Sequence, residues 1–74
     1  MKIIGIITAM EEEFEEIANI MSEVKEKEIR KLTFITGKIN TKSVVLVKSG
    51  IGKVNAARVT QIMIDNFHIE TIIN

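Results

Sequence analysis

Cysteine, proline, tryptophan and tyrosine are all absent from this 74-residue chain. Without cysteine there is neither a disulfide framework nor a thiolate metal site. Without proline, and with no low-complexity stretch or internal repeat, nothing marks a linker, so residues 1–74 are expected to form one incomplete domain. Aromatic side chains make up 4% of the residues, and neither sign of charge prevails, because ten basic residues offset ten acidic ones. A balanced chain has no bulk electrostatic pull toward nucleic acid or an anionic membrane. No apolar run approaches the roughly 18 residues of a membrane span. The apolar start is also too short, and too soon followed by acid, for a signal peptide. The expectation is a soluble cytoplasmic protein without nucleic-acid or membrane partners.

Isoleucine and valine supply most of what is there. Hydrophobic residues reach 46%, the composition of buried strands covered by helices on both faces. A domain of this size buries only about 60% of its unfolded surface, and such a sheet normally needs a longer chain. Residues 2–7 predict a buried strand. From Met10 the period changes: Met10, Phe14, Ile17 and Met21 recur at spacings of four, three and four, one apolar stripe of a helix over 10–21. The charged stretch 23–31 reads as its frayed continuation.

Residues 31–39 and 42–48 predict two strands joined through the turn residues around Asn40. The continuous run Val44-Val45-Leu46-Val47 makes the second of them central and the first nearer an edge. Residues 54–67 predict a second helix with a wide apolar face, and 69–73 a last strand. The expected fold is α/β, a partial three-layer arrangement in the order β-α-β-β-α-β, with helices packed on a mixed sheet. The chain stops on a buried strand, the pattern of a fold cut part-way. An open apolar edge there invites self-association, through the sheet edge or through helices.

Two segments can carry chemistry. Glu11-Glu12-Glu13 follows the first strand directly, at the edge where open α/β sheets bind ligands. Successive helical residues point about 100° apart, so only one of the three faces a given pocket. Glu13 can be aimed by its packed neighbour Phe14, while Glu11 and Glu12 sit away from the Phe14/Ile17 side or at the rim. Read alone, the triplet is either favourable charge at a helix start or a catalytic carboxylate. Ser49-Gly50-Ile51-Gly52-Lys53 joins a strand to a helix, where glycines let backbone approach a ligand. It matches neither a Walker A loop nor G-x-G-x-x-G, and a plain tight turn is the simpler reading. His68 is the sole histidine and reads as structural. No metal-ligand cluster and no Ser-His-Asp pattern is present.

In this order and spacing, M-K-I-I-G-I-I-T-A-M-E-E-E, T-G-K-I-N, V-V-L-V-K-S-G-I-G-K-V-N-A-A and T-I-I-N resemble the N-terminal part of 5′-methylthioadenosine/S-adenosylhomocysteine nucleosidases, of the purine nucleoside phosphorylase superfamily. The resemblance runs from Met1 to Asn74. It implies hydrolysis of an N-glycosidic bond of a small nucleoside, with release of adenine and without a cofactor or metal. It implies that Glu13 activates the attacking water, that Ala9 and Met10 line the ribose and water site, and that Ile51 meets the 5′-alkylthio group on a turn presented by Ser49 and Gly50. A carboxylate at Glu13 repels phosphate, which favours water as nucleophile. The resemblance also implies groups that these residues do not include: a glutamate for the ribose hydroxyls and an aspartate that protonates the departing purine. The chain alone is therefore expected to be inactive. Two non-enzymatic readings stand beside this one, a self-associating α/β module and a nucleoside-binding remnant.

Overall fold

The computed structural model describes residues 2–49 and 53–73, with backbone only for 53–55. The elements run β1 (Ile3–Thr8), α1 (Glu11–Ile20), β2 (Ser22–Ile29), β3 (Leu32–Ile39), β4 (Lys42–Lys48), α2 (Lys53–Phe67) and β5 (Thr71–Ile73). They build one five-stranded sheet in the order β2-β3-β4-β1-β5. β1 pairs in parallel with both β4 and β5, while β2/β3 and β3/β4 are antiparallel. The mixed α/β arrangement is as expected, and β4 is the middle strand.

Strand side chains point to alternate faces, and β4 uses the alternation to fill two cores. Val45 and Val47 join Ile7, Phe34, Val59, Ile62 and Met63 under α2. Val44 and Leu46 join Met21 and Ile35 on the other face, where Phe14, Ile17 and Ala18 of α1 cover them. This is why the run 44–47 is apolar without interruption. Gly5 belongs to the α2 face, where a Cβ would stand 2.4 Å from Met63 Sδ. A side chain there would force the buried Met63 side chain to shift.

Three expectations need correction. The charged stretch 23–31 is not frayed helix: residues 22–29 are β2, so the order gains a strand, while β3 does lie nearer an edge than β4. The first seven residues of β2 are exposed and only Ile29 is partly buried, so no apolar period betrays the strand. Its alternating Glu and Lys side chains suit an edge that must not pair with another sheet. It is held by the ladder to β3 and by Lys27, whose Nζ lies 5.6 Å from the Phe67 ring centroid. Phe67 in turn packs on Phe34 at 5.3 Å between centroids. Second, α1 is shorter by one residue at each end than 10–21, since Met10 and Met21 cap it. Met10 is 55% exposed and contributes nothing to the apolar stripe. Third, the last strand begins at Thr71, not at residue 69.

Both hairpins turn on two residues and use left-handed backbone. Ile29 pairs with Leu32, leaving Arg30 and Lys31 as the loop at φ 52° and 68°. Two successive positive φ values are the pattern of a type I′ turn, which favours Asn-Gly. Arg and Lys carry a Cβ penalty of about 1 kcal/mol or more each in that region. Ile39 pairs with Lys42 across Asn40-Thr41, and there only Asn40, at φ 58°, is left-handed, a conformation asparagine tolerates. His68 occupies the same region at φ 52°, just past α2, a backbone role at a helix end.

The double substitution Arg30→Asn/Lys31→Gly is expected to raise stability by about 1–2 kcal/mol through relief of that strain. A urea denaturation midpoint that does not rise would show that the turn is unstrained.

Candidate functional site

The parallel strands β4, β1 and β5 end at one edge of the sheet, the position where α/β proteins bind ligands. A half-open cavity of about 350 Å³ lies there, lined by Ile6, Ile7, Thr8, Ala9, Glu13, Ile17 and Ile73. Its floor is apolar strand. Its polar groups come from the β1–α1 junction.

That junction is built around Thr8, the last residue of β1. Register pairing holds its backbone beside Lys48 of β4, and its carbonyl accepts a 2.9 Å hydrogen bond from Ser49 N. Its hydroxyl accepts from Met10 N at 3.2 Å and lies 3.3 Å from Glu13 Oε1, to which it donates. Thr8 and Ser49 are the buried polar residues among those described, at 7% and 4% exposure.

α1 begins on Met10 without any side-chain cap. The first free backbone N–H groups of a helix carry partial positive charge and favour anions, and Glu11, Glu12 and Glu13 fill that turn. Tertiary packing then separates the three. Glu11 forms an ion pair with Lys48 at the end of β4. Glu12 is exposed to solvent. Glu13 turns to the cavity and to Thr8. One carboxylate therefore faces the cavity, while a second pairs with the lysine at the end of β4.

Of the residues singled out from sequence, Ala9 and Glu13 line this cavity. Met10 does not line it; its backbone joins the junction, donating to Thr8 and accepting from Phe14 N at 3.0 Å. Ser49 stands on the neighbouring strand end, bonded to Thr8. Gly50 and Ile51 lie outside the described residues. Sequence reading passed over Thr8. The available signal was a hydroxyl ending an otherwise apolar strand, two residues ahead of an uncapped helix. Among the described residues, no group of three or more His, Cys, Asp or Glu side chains is placed to hold a metal. No described helix is long and apolar enough to cross a membrane.

Fold and site together define a three-layer α/β protein with a cavity, carrying one carboxylate, at the carboxyl edge of its parallel strands. The family model described as the phosphorylase superfamily matches residues 3–74, and the chain belongs to that superfamily. It is 56% identical over 71 residues to a 5′-methylthioadenosine/S-adenosylhomocysteine nucleosidase of Listeria monocytogenes, an alignment covering 96% of this chain and 30% of the relative. The Streptococcus pneumoniae MTA/SAH nucleosidase, solved with 8-aminoadenine, superposes with a TM-score of 0.94 at 40% identity, over 100% of this chain and 32% of that one. The Neisseria meningitidis nucleosidase, solved with methylthio-immucillin-A, gives 0.94 at 38% identity, again over 100% and 32%. The chain thus spans about a third of the length of the relatives it matches.

Proposed function

We propose that this chain is the water-activating part of a 5′-methylthioadenosine/S-adenosylhomocysteine nucleosidase, acting in the cytoplasm within one domain of the superfamily. The observation that carries the reading is the aim of Glu13. Of three successive carboxylates it alone meets the cavity at the strand ends. As a carboxylate it holds and polarises a water molecule and stabilises the oxocarbenium-like sugar as the N-glycosidic bond breaks. Ala9 borders the ribose and the water, and Met10 supports that border through its backbone in the β1–α1 junction. The likeness assigns Ser49, Gly50 and Ile51 to the 5′-alkylthio group, and of these Ser49 lies within the described residues. The names of the relatives and the adenine-like ligands in two of their structures support this substrate class. The chemistry calls for no cofactor.

Glycoside hydrolysis ordinarily uses two acid-base groups, one for the water and one for the leaving group. Glu13 is the one titratable side chain among the described residues lining the cavity. The leaving-group end must come from elsewhere in a full-length protein. The 74-residue chain alone is expected to release adenine from methylthioadenosine at least about 10²–10⁴-fold more slowly than a full-length relative, the typical worth of one such group. Comparable turnover in a direct adenine assay would contradict that division of labour.

Placed in the Listeria monocytogenes nucleosidase in exchange for its matching 71 residues, the chain should support turnover. Glu13→Gln in that hybrid should lower kcat by about 10²–10⁴-fold. A Gln variant as active as its parent sinks the assignment.

Self-association belongs to the same proposal. The two sheet edges differ: β2 carries alternating charges, whereas β5 is Thr71-Ile72-Ile73, with Ile73 52% exposed. An uncharged edge of this kind pairs readily with another strand. Sedimentation velocity at micromolar concentration is expected to give a mass above that of the 8.3 kDa monomer, and Ile73→Lys should return it to monomer. A wild-type monomer would remove the oligomer from the proposal.

A further inference from the structure

We propose that Thr8 is a positioning residue for the reaction: its hydroxyl holds Glu13 Oε1, so that the carboxylate meets water in a single orientation. This rests on the reading of Glu13 as the water-activating group. The argument is one of proton inventory. A threonine hydroxyl has one proton to donate and two lone pairs to accept with. Thr8 Oγ1 accepts from Met10 N at 3.2 Å, so its proton points elsewhere. Two acceptors lie within reach, Met10 O and Glu13 Oε1, both at 3.3 Å. Met10 O already receives the first helical bond, from Phe14 N at 3.0 Å. A carboxylate is also the stronger acceptor, because hydrogen bonds to an ionised group are about twice as strong as neutral ones. The proton therefore goes to Glu13.

The anchor is rigid where the carboxylate is not. Thr8 is 7% exposed, while Glu13 is exposed. The Thr8 backbone is pinned by the β1–β4 ladder and by Ser49 N. Glutamate has three side-chain torsions, and an exposed one samples several rotamers. One hydrogen bond from a fixed strand end selects among them. At 3.3 Å it is longer than an ordinary O–H···O bond, as catalytic hydrogen bonds commonly are before a substrate tightens the site. The same hydroxyl, on the last residue of β1, accepts from Met10 N just ahead of α1, so strand end, helix start and carboxylate share one anchor.

Two variants separate holding Glu13 from simply filling space. Thr8→Val keeps shape and burial but removes the hydroxyl, and Thr8→Ser keeps the hydroxyl. In the 74-residue chain, the Glu13 Hα–Hβ couplings should report one dominant rotamer in wild type and in Thr8→Ser, and averaged values in Thr8→Val, with backbone amide resonances beyond residues 8–14 unchanged. In the Listeria hybrid, Thr8→Val should lower kcat about tenfold or more, as misplacement of a reacting group does. KM should stay within about twofold, and Thr8→Ser should recover most of the loss. Unchanged Glu13 couplings in Thr8→Val, or a wild-type kcat, overturn the proposal. If Glu13→Gln leaves the hybrid fully active, the reading of Glu13 itself has failed, a result distinguishable because the couplings report the hold of Thr8 independently of turnover. Should Thr8→Val fail to fold, Thr8→Ala and Thr8→Ser supply the same contrast.

Discussion

The pairing of β1 with β4 is the contact on which the molecule turns. Six residues of each strand stand in parallel register, from Ile3 beside Ser43 to Thr8 beside Lys48. That register delivers Val45, Val47 and Ile7 to one core and Val44 and Leu46 to the other. A slip of one residue would exchange the faces and place every packed side chain against the wrong helix. It also brings the ends of the two strands level, so that Ser49 N reaches Thr8 O and Lys48 reaches Glu11. The cavity edge follows from the same alignment that forms the cores.

Chemistry at that edge is set by how a helix starts. With methionine at its cap position, α1 has no side chain to satisfy its first turn. Acidic residues answer the local positive potential, and three of them in succession give three directions. The ion pair with Lys48 draws one aside. Both partners are about half exposed, so the pair is worth at most about 1 kcal/mol and acts mainly by balancing charge beside the strand ends. Thr8, two positions upstream of the cap residue, accepts from its backbone N–H and donates to Glu13.

Much of the architecture was legible because burial leaves a period. The uninterrupted run at 44–47 marked a central strand, and the Phe14/Ile17 spacing marked a helix resting on one face. β2 was not legible. A strand whose side chains nearly all face water has no apolar alternation, and its Glu-Lys pattern serves equally on a helix surface. Only the backbone ladder to β3, a long-range pairing, distinguishes the two. Helix ends shifted by a residue for a related reason: Met10 and Met21 are apolar and correctly spaced, yet the backbone leaves the helix at both.

Residue order alone carried the class of fold, the two candidate segments and the likeness to one nucleosidase family, since these rest on composition, period and spacing, which are local properties of the chain. It could narrow Glu11, Glu12 and Glu13 to one only through that likeness. Which of them faces the cavity is a matter of what lies opposite: a lysine at the end of β4, bulk water, or the hydroxyl of Thr8. Those neighbours come from strands far apart in the chain or from the turn that joins them, so the division of roles is a product of the folded sheet.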